Sequence, residues 1–345
     1  MVQEREVLKK VDTSKYVSTE NILADRNGVK FPANTIPLSK TITTYKKDDI
    51  LISNIRPYFK KIWKAEFDGP KSNDVIAFRT KDSRLLQDYL YVVLQSDNFF
   101  NYVTNTAKGT KMPRGDKKAI INYEFELPNI QLQRKISHTI LVLEKKIRLN
   151  NQINDNLISL ATTLFNKYFP NINSGNEMIG NFISNYDRLR KPLSKKERLS
   201  IPGKYRYIGA TSVNDYINKY NFDGIYLLLG EDGTVEDDNG YPILQYISGK
   251  FWPNNHAHVL QGKNVSTEWL YLFFKQRKIT SIVTGAVQKK ISQKNLNSLS
   301  ISIPDKDKLA RFDTIINPIF KNIRIIESEN HSLEKIKVEL LSKLF

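Results

Sequence analysis

Gly109-Thr-Lys-Met-Pro-Arg-Gly-Asp-Lys-Lys118, running on to Leu127-Pro128, returns later in the chain as Gly285-Ala-Val-Gln-Lys-Lys-Ile-Ser-Gln-Lys294, running on to Ile303-Pro304. Glycine and proline are 19 positions apart in both copies, and the offset is 285 − 109 = 176. The same offset then holds without a gap to the end of the chain. Ile140 matches Ile316, Lys145 Lys321, Ile147 Ile323, Arg148 Arg324, Asn154 Asn330, Leu157 Leu333, Leu164 Leu340, Lys167 Lys343 and Phe169 Phe345. A register kept this long argues for internal duplication. Upstream the likeness drifts: Leu90-Tyr91 matches Leu270-Tyr271 at 180, and Lys15-Tyr16-Val17 resembles Arg206-Tyr207-Ile208 at 191. Each repeat is a variable block followed by a constant tail.

The constant tails carry a heptad pattern. Ile140, Leu143, Ile147, Asn150, Asn154, Leu157, Ala161, Leu164 and Tyr168 alternate spacings of three and four, as do Ile316, Ile319, Ile323, Ile326, Asn330, Leu333, Lys337, Leu340 and Leu344. A helix over 131–168 would run about 55 Å at 1.5 Å per residue, and Pro128 and Pro304 mark where the preceding strands give way. Two such seams in one chain are expected to bury each other. Asn154 and Asn330 hold equivalent seam positions, so antiparallel pairing is expected to bring them together and fix the register. The expected seam is Ile140, Ile147, Asn154, Leu157 and Leu164 against Ile316, Ile323, Asn330, Leu333 and Leu340.

The variable blocks read as mixed α/β. Asp49–Ile55, Asp74–Phe78, Gly224–Leu229, His256–Leu260 and Ser298–Ile303 are strand-like, while Gln87–Phe100 and Ser266–Arg277 read as helices. The fold class expected is therefore α+β: two mixed α/β domains separated by two long antiparallel coiled-coil helices in a pseudo-twofold repeat. The expected boundaries are 1–128, 129–170, 171–304 and 305–345.

Composition narrows the function. The 345 residues hold 53 Lys and Arg against 36 Asp and Glu, a net +17, which calls for a polyanionic partner. Forty per cent hydrophobic residues, with 17 Phe and 17 Tyr, are enough for real cores. The absence of cysteine excludes disulfide scaffolds, thiol nucleophiles and zinc ribbons. No run reaches the ~18 apolar residues of a membrane span, and the N-terminus Met1-Val2-Gln3-Glu4-Arg5-Glu6 is unlike a signal peptide. A cytoplasmic location is expected, with no membrane partner.

Catalytic patterns are scarce. Neither GxGxxG nor GxxxxGK[ST] occurs, and Ser53-Asn-Ile-Arg-Pro-Tyr58 only superficially resembles an amino-methyltransferase motif. Pro304-Asp305 with Lys306-Asp-Lys308 reads as a polar helix entry rather than a nuclease motif. His256 and His258 form half of a metal-ligand pattern, with no third ligand apparent. The basic segments say more. Lys40, Lys46, Lys47, Arg56, Lys60, Lys61 and Lys64 surround Tyr58, Phe59 and Trp63, and the cationic loop 108–118 has its counterpart at 284–290. Lys and Arg neutralise phosphates, while Gln, Asn, Arg and Ser can read base edges. The expected DNA contacts are Lys46, Arg56, Tyr58, Lys60, Lys111, Arg114 and Lys117 in the first domain, and Lys250, Asn255, His256, Gln288 and Lys289 in the second. The acidic stretch Glu231–Gly240 is expected to lie off the DNA face.

Taken in order, these features resemble the specificity subunit of type I restriction–modification enzymes. The resemblance rests on two variable blocks, each closed by the glycine-to-proline segment and a long helix ending Leu-Phe-x-Lys-x-Phe (164–169) or Leu340-Leu-Ser-Lys-Leu-Phe345. Asp49–Pro57, Asn221–Gly230 and Phe251–Leu260 also look like that family's target-recognition domains. The resemblance implies a double-stranded-DNA-binding protein that is not an enzyme by itself. Each domain would read one half of a split target, with the helices as the ruler between halves. Two methyltransferase subunits would dock on the helices, and a restriction–translocase subunit would join them. No cofactor is implied in this chain; S-adenosylmethionine, ATP and magnesium would belong to the partners. The alternatives are a DNA-acting enzyme with its own nuclease or methyltransferase site, and a coiled-coil scaffold without readout. One departure stands out: the counterpart of Ile179-Gly-Asn-Phe-Ile183 would precede Met1, so the expectation is either that the chain starts late or that the C-terminal end of the chain, or a partner, completes the first block's edge.

Overall fold

A computed structural model describes residues 1–2, 4–7, 12–33, 41–285, 287–302 and 305–345. Lys40, Ile303 and Pro304 therefore lie outside the described residues. The chain forms two compact units, Met1–Leu149 with Asn330–Phe345, and Asn150–Glu329.

In the first unit, β1 (Arg5–Val7), β2 (Thr41–Tyr45) and β5 (Gly69–Lys71) make an antiparallel sheet in the order β1-β2-β5. A second sheet, ordered β4-β3-β6, joins β3 (Ile50–Ser53), β4 (Ile62–Lys64) and β6 (Val75–Phe78). The β-branched run Ile50–Ile52 is buried throughout, as the centre strand of a covered sheet should be. The helical stretch expected over 87–100 is two helices, α1 (Gln87–Leu94) and α2 (Asp97–Asn105). Ser96 separates them because its side chain accepts the Phe99 N–H at 3.2 Å and so caps a new helix. α3 (Lys117–Ile121) follows the cationic loop. Trp63, expected on the basic surface, is instead core: it meets Tyr45, Phe31 and Phe67 edge-on or tilted at 5.7–5.9 Å.

α4 (Ile130–Tyr168) is a 39-residue helix, about 58 Å at 1.5 Å per residue. The second unit continues from it through β7 (Glu177–Met178), β8 (Ile183–Asn185), α5 (Lys195–Ser200), β9 (Pro202–Ile208), β10 (Val213–Ile217), β11 (Phe222–Gly230), β12 (Leu244–Pro253) and β13 (Ala257–Gly262). α6 (Thr267–Lys275), α7 (Gln293–Asn297) and β14 (Ser300–Ile301) complete it, and α8 (Lys306–Leu344) is again 39 residues. Its main sheet runs β10-β9-β12-β11-β13-β8, with only β12 and β9 parallel, and β14 pairs with β7. The architecture is thus α+β, with two mixed α/β domains and two long helices.

Inside each unit the helices run antiparallel. In the first, Ile140 of α4 packs with Leu341 of α8 on Val92, and Lys337 Nζ lies 3.3 Å from Glu144 Oε1. In the second, Phe165 of α4 meets Phe312 of α8 with ring centroids 5.8 Å apart, and Asn150 Nδ2 donates to Glu329 at 2.7 Å. Of the expected seam, Ile140, Ile316, Ile323 and Asn330 are buried, Leu157, Leu164 and Leu340 pack at core edges, and Ile147 and Leu333 are half-buried. Asn154 and Asn330 fall in different units; within the second, it is Asn150 that makes the cross-helix bond, while Asn154 Oδ1 is buried without a hydrogen-bond partner. No helix of the described residues is long and apolar enough to cross a membrane.

The duplication is visible as contacts. Phe169, at the end of α4, packs on Trp269 at 5.9 Å in the second unit. Phe345, at the end of α8, packs on Tyr89 at 6.1 Å in the first, and Asn98 Nδ2 donates to its carbonyl. Val92–Ile140–Leu341 repeats Leu272–Ile316–Phe165. Each domain is thus closed by the tail of the other repeat's helix.

Candidate nucleic-acid interface

Two equivalent hairpins organise the candidate surfaces. In the first unit Lys108 and Arg114 exchange backbone hydrogen bonds of 2.8 and 2.9 Å; in the second Thr284 and Lys290 do so at 2.8 and 2.7 Å. Both pairs are 176 apart in sequence. Gly109 (φ +93°) and Gly285 (φ +89°) turn the chain inside each hairpin, a conformation side chains resist. At Gly285 a Cβ would also stand 2.1 Å from the Gln288 carbonyl oxygen.

Beside the first hairpin lies a strained turn. Arg56 and Lys60 both adopt left-handed conformations (φ 49° and 50°) around the Pro57–Phe59 turn, leaving Tyr58 and Phe59 47% and 39% exposed. Non-glycine residues persist there only when the surroundings hold them. Here the Arg56 N–H donates to Pro113 O at 2.8 Å, and the Gly115 N–H to Asn54 O at 3.0 Å. The structure so brings Arg56, Tyr58, Lys60, Lys111 and Arg114 onto one rim, with Lys117 opening α3 just beyond. Lys60 shares the Asp97 carboxylate with Arg26, and Arg114 lies 3.4 Å from Asp74. Lys111 is exposed and makes no ion pair among the described residues. Lys61 and Lys64 are spent inside the fold, on Thr19 O (2.5 Å) and on Asp48 and Asp88 (3.0 and 2.5 Å). Lys46 stands beside Glu4 at 3.9 Å, with no described bond to the turn.

The second hairpin meets an acidic turn instead. The Gly233 N–H donates to Lys289 O at 2.9 Å, the counterpart of the Arg56–Pro113 bond, and Asp232 bridges Lys290 as Ile55 bridges Arg114. Glu231–Gly240, whose charge suggested a place away from the cationic loop, packs against this hairpin, with Glu231, Asp232 and Glu236 paired to neighbouring basic side chains. Lys289 Nζ is 2.8 Å from Glu236, Lys290 Nζ is 3.6 Å from Glu231, and His256 Nδ1 is paired with Asp232. The Lys289 contact, followed by a hydrogen bond from Thr280, holds the Glu236 carboxyl below its usual range. Gln288 is exposed at the tip, and the Asn255 carbonyl accepts from Arg190 Nη1 at 3.2 Å.

His256 and His258 do not share a site. His258 is buried, with Nδ1 2.6 Å from Asp187 Oδ2 and Nε2 2.9 Å from Ile291 O. Both neighbours are hydrogen-bond acceptors, so the ring is clamped at its two nitrogens. Asp187, Glu231 and His258 place ligand-type atoms within 4.8 Å of one another. Those oxygens are already engaged: Asp187 accepts from the Val259 N–H (2.8 Å), Asn185 (3.0 Å) and Gln293 (2.6 Å), and Glu231 from Arg190 (2.6 Å). With their oxygens taken up by these donors, Asp187 and Glu231 belong to a closed buried hydrogen-bond network rather than an open metal cradle. Burial alone would raise the Asp187 carboxyl; the hydrogen bond and charge of His258 outweigh it and bring it down to about 2.

One surface escaped the sequence reading. Lys250 Nζ sits 4.5 Å over the Tyr220 ring, Tyr220 meets Tyr205 at 4.9 Å, and Lys204 Nζ lies 5.4 Å over Tyr205. These form an aromatic and cationic patch of the kind that stacks bases and neutralises phosphates. Only Lys250 was singled out from sequence. Tyr205 lies on β9 and Tyr220 just beyond β10, the strand paired with it, so the two rings meet only in the fold.

Comparison with known proteins places this architecture. The type I restriction modification DNA specificity domain matches residues 4–158 and again residues 183–338. An assigned type I restriction enzyme specificity subunit of Haemophilus influenzae is 33% identical over 127 residues, 36% of this chain and 31% of that protein. The HindI specificity subunit of the same organism is 28% identical over 130 residues, so the chain spans about a third of the length of these relatives. The MjaIX specificity subunit of Methanocaldococcus jannaschii is 20% identical over 299 residues, 75% of this chain and 68% of that one. The crystal structure of the S subunit of a type I restriction–modification system from M. genitalium shares the fold, with a TM-score of 0.53 over 99% of this chain and 93% of that one at 16% identity.

Proposed function

The chain belongs to the type I restriction modification DNA specificity family, and from that membership we propose that it is the sequence-reading subunit of a type I restriction–modification complex. It binds double-stranded DNA without chemistry of its own. Each α/β domain reads one half of a bipartite target, and the two long helices set the spacer and dock two methyltransferase subunits. A restriction–translocase subunit joins for cleavage. S-adenosylmethionine, ATP and magnesium act on those partners. The observation that carries this reading is the repeated hairpin, 108–114 and 284–290, set in equivalent positions of two domains but flanked by chemically different turns. A twofold scaffold with unlike readers suits an asymmetric split site, as half-site spacing follows the protein's repeat.

The test is methylation-site mapping in cells carrying the whole system. Replacing Gln288 should relax sequence choice in one half-site, and replacing Lys111 should weaken binding to all sequences alike. Removing one heptad from each helix should shorten the spacer. An unaltered motif in the Gln288 variant, together with an unaltered spacer in the shortened one, would refute the reading. Purified chain with DNA, magnesium and S-adenosylmethionine should yield neither cut nor methylated DNA, and turnover would make it an enzyme instead.

A further inference from the structure

A cavity of about 310 Å³ in the first unit is lined by Arg5, Thr43, Lys71, Asn73, Lys117 and the chain start at Met1–Val2. Its charge is one-sided. Lys71 is only 4% exposed, yet its ammonium makes a single described hydrogen bond, to Val75 O at 2.8 Å. Neither Lys71, Arg5 nor Lys117 forms an ion pair among the described residues. The carboxylate that acts electrostatically on Lys71, Asp49, is already held by two Arg79 bonds of 2.7 and 2.8 Å. A buried cation without a counter-charge is costly and normally finds one. Thr43 Oγ1 donates to Lys71 O (2.9 Å) and lies 3.3 Å from the Asn73 side-chain amide, which adds a polar group to the wall.

We infer that this cavity is a binding site for a phosphate-class oxyanion, held between Lys71, Arg5 and Lys117. The volume is about ten times a water's share of the liquid, ample for a tetrahedral dianion with part of its hydration. Burial first, and then the charge of Lys117, pull the Lys71 ammonium down to about 8; a bound anion supplies the opposite field. Lys117 also ends the cationic hairpin segment, so the anion is either a free phosphate or a phosphodiester of DNA. The second source, and only that, rests on the DNA-reading function proposed above.

The experiment uses the full chain and inorganic phosphate at constant ionic strength. Thermal unfolding and calorimetric titration should show saturable stabilisation by phosphate that sodium chloride does not reproduce. Lys71→Met should abolish it. The surface pair Arg5→Gln with Lys117→Gln leaves the core untouched and should weaken phosphate at least tenfold. For the DNA source, Lys71→Met, which lies outside the DNA contacts named above, should lower the slope of log K against log salt by about one. Slope loss without a phosphate response assigns the site to DNA phosphodiester, and a phosphate response with an unchanged slope assigns it to the free ion. No phosphate-specific stabilisation together with an unchanged slope overturns the site. A chain that binds no DNA at all would sink the proposed function, while the phosphate titration would still decide the cavity.

Discussion

Replacing Asp187 by Asn tests whether the second domain is held by a buried ion network. Asp187 and His258 have side chains 4% and 1% exposed and meet at 2.6 Å. The carboxylate drops from 3.8 to about 2 on folding, a shift worth about 2 kcal/mol of stability. Its sign follows from the direction: a carboxyl depressed in the folded state stabilises above its unfolded value, and the contribution is lost as pH falls from about 4 through 2. The asparagine variant forfeits that contribution and removes an acceptor from a buried, hydrogen-bonded network, so the total cost at neutral pH should be about 3–5 kcal/mol. A cycle with His258→Gln separates the pair from its surroundings: the double variant should be less damaged than the singles sum to, by about 2 kcal/mol. Urea unfolding followed by Trp252 and Trp269 fluorescence reads the second unit. A single-variant cost under about 1 kcal/mol at pH 7, or a coupling near zero, would show that the network is incidental; so would a wild-type advantage that survives undiminished at pH 2.

Three further outcomes are expected. Gly285→Ala should disrupt its hairpin more than Gly109→Ala does, because a Cβ at 285 is 2.1 Å from a carbonyl oxygen whereas at 109 the nearest atom is 3.5 Å away; the latter should cost only about 1 kcal/mol of backbone strain, and a reversed order in melting temperature would be contrary. Asp97→Asn frees Arg26 and Lys60 from their shared carboxylate, so non-specific DNA affinity should rise several-fold at low salt with a steeper salt dependence; unchanged binding would remove Lys60 from the contact set. Tyr220→Ala dismantles the tyrosine–lysine patch and should weaken DNA by about 1 kcal/mol, measured by fluorescence anisotropy against a circular-dichroism control for folding.

Much of the fold was legible because it is periodic. The seam of Ile140, Ile316 and Ile323 repeats every three and four residues, and burial follows that period directly. The strands at 50–53 and 75–78 are short apolar runs buried almost throughout, and 227–230 is the buried end of a longer strand. What failed was local. Ser96 splits a helix that hydrophobic spacing alone would continue, and Trp63 is drawn inward by Phe31 and Tyr45 from elements that sequence cannot order. The candidate surfaces were legible as charge but not as pairing. Lys64, Lys289 and His256 look like free cations until Asp88, Glu236 and Asp232 are placed beside them. Asp187 and Glu231 supply the carboxylates that the His258 pattern seemed to lack, from 71 and 27 residues upstream (258 − 187 and 258 − 231).

The charge itself is divided unevenly. The first unit holds 30 Lys and Arg against 19 Asp and Glu, and the second 23 against 17, so +11 and +6 make up the +17. The difference has a structural location. Where one hairpin meets a turn carrying Arg56 and Lys60, the other meets a turn carrying Asp232 and Glu236, with Gly233 in the place of Arg56 on a backbone that makes the same hydrogen bonds. Cations at such a rim favour phosphates and guanine acceptors, whereas carboxylates repel phosphate and accept only from exocyclic amino groups such as that of cytosine. Duplication conserved the frame, namely the hairpin, the tail aromatic and the helix-anchoring Arg148 and Arg324, which pair with Glu66 in one unit and Glu268 in the other. Divergence then acted on the turns, where a side chain can change sign without disturbing a core. That separation of a constant scaffold from a freely varied rim is what a protein needs if its two halves are to recognise different sequences.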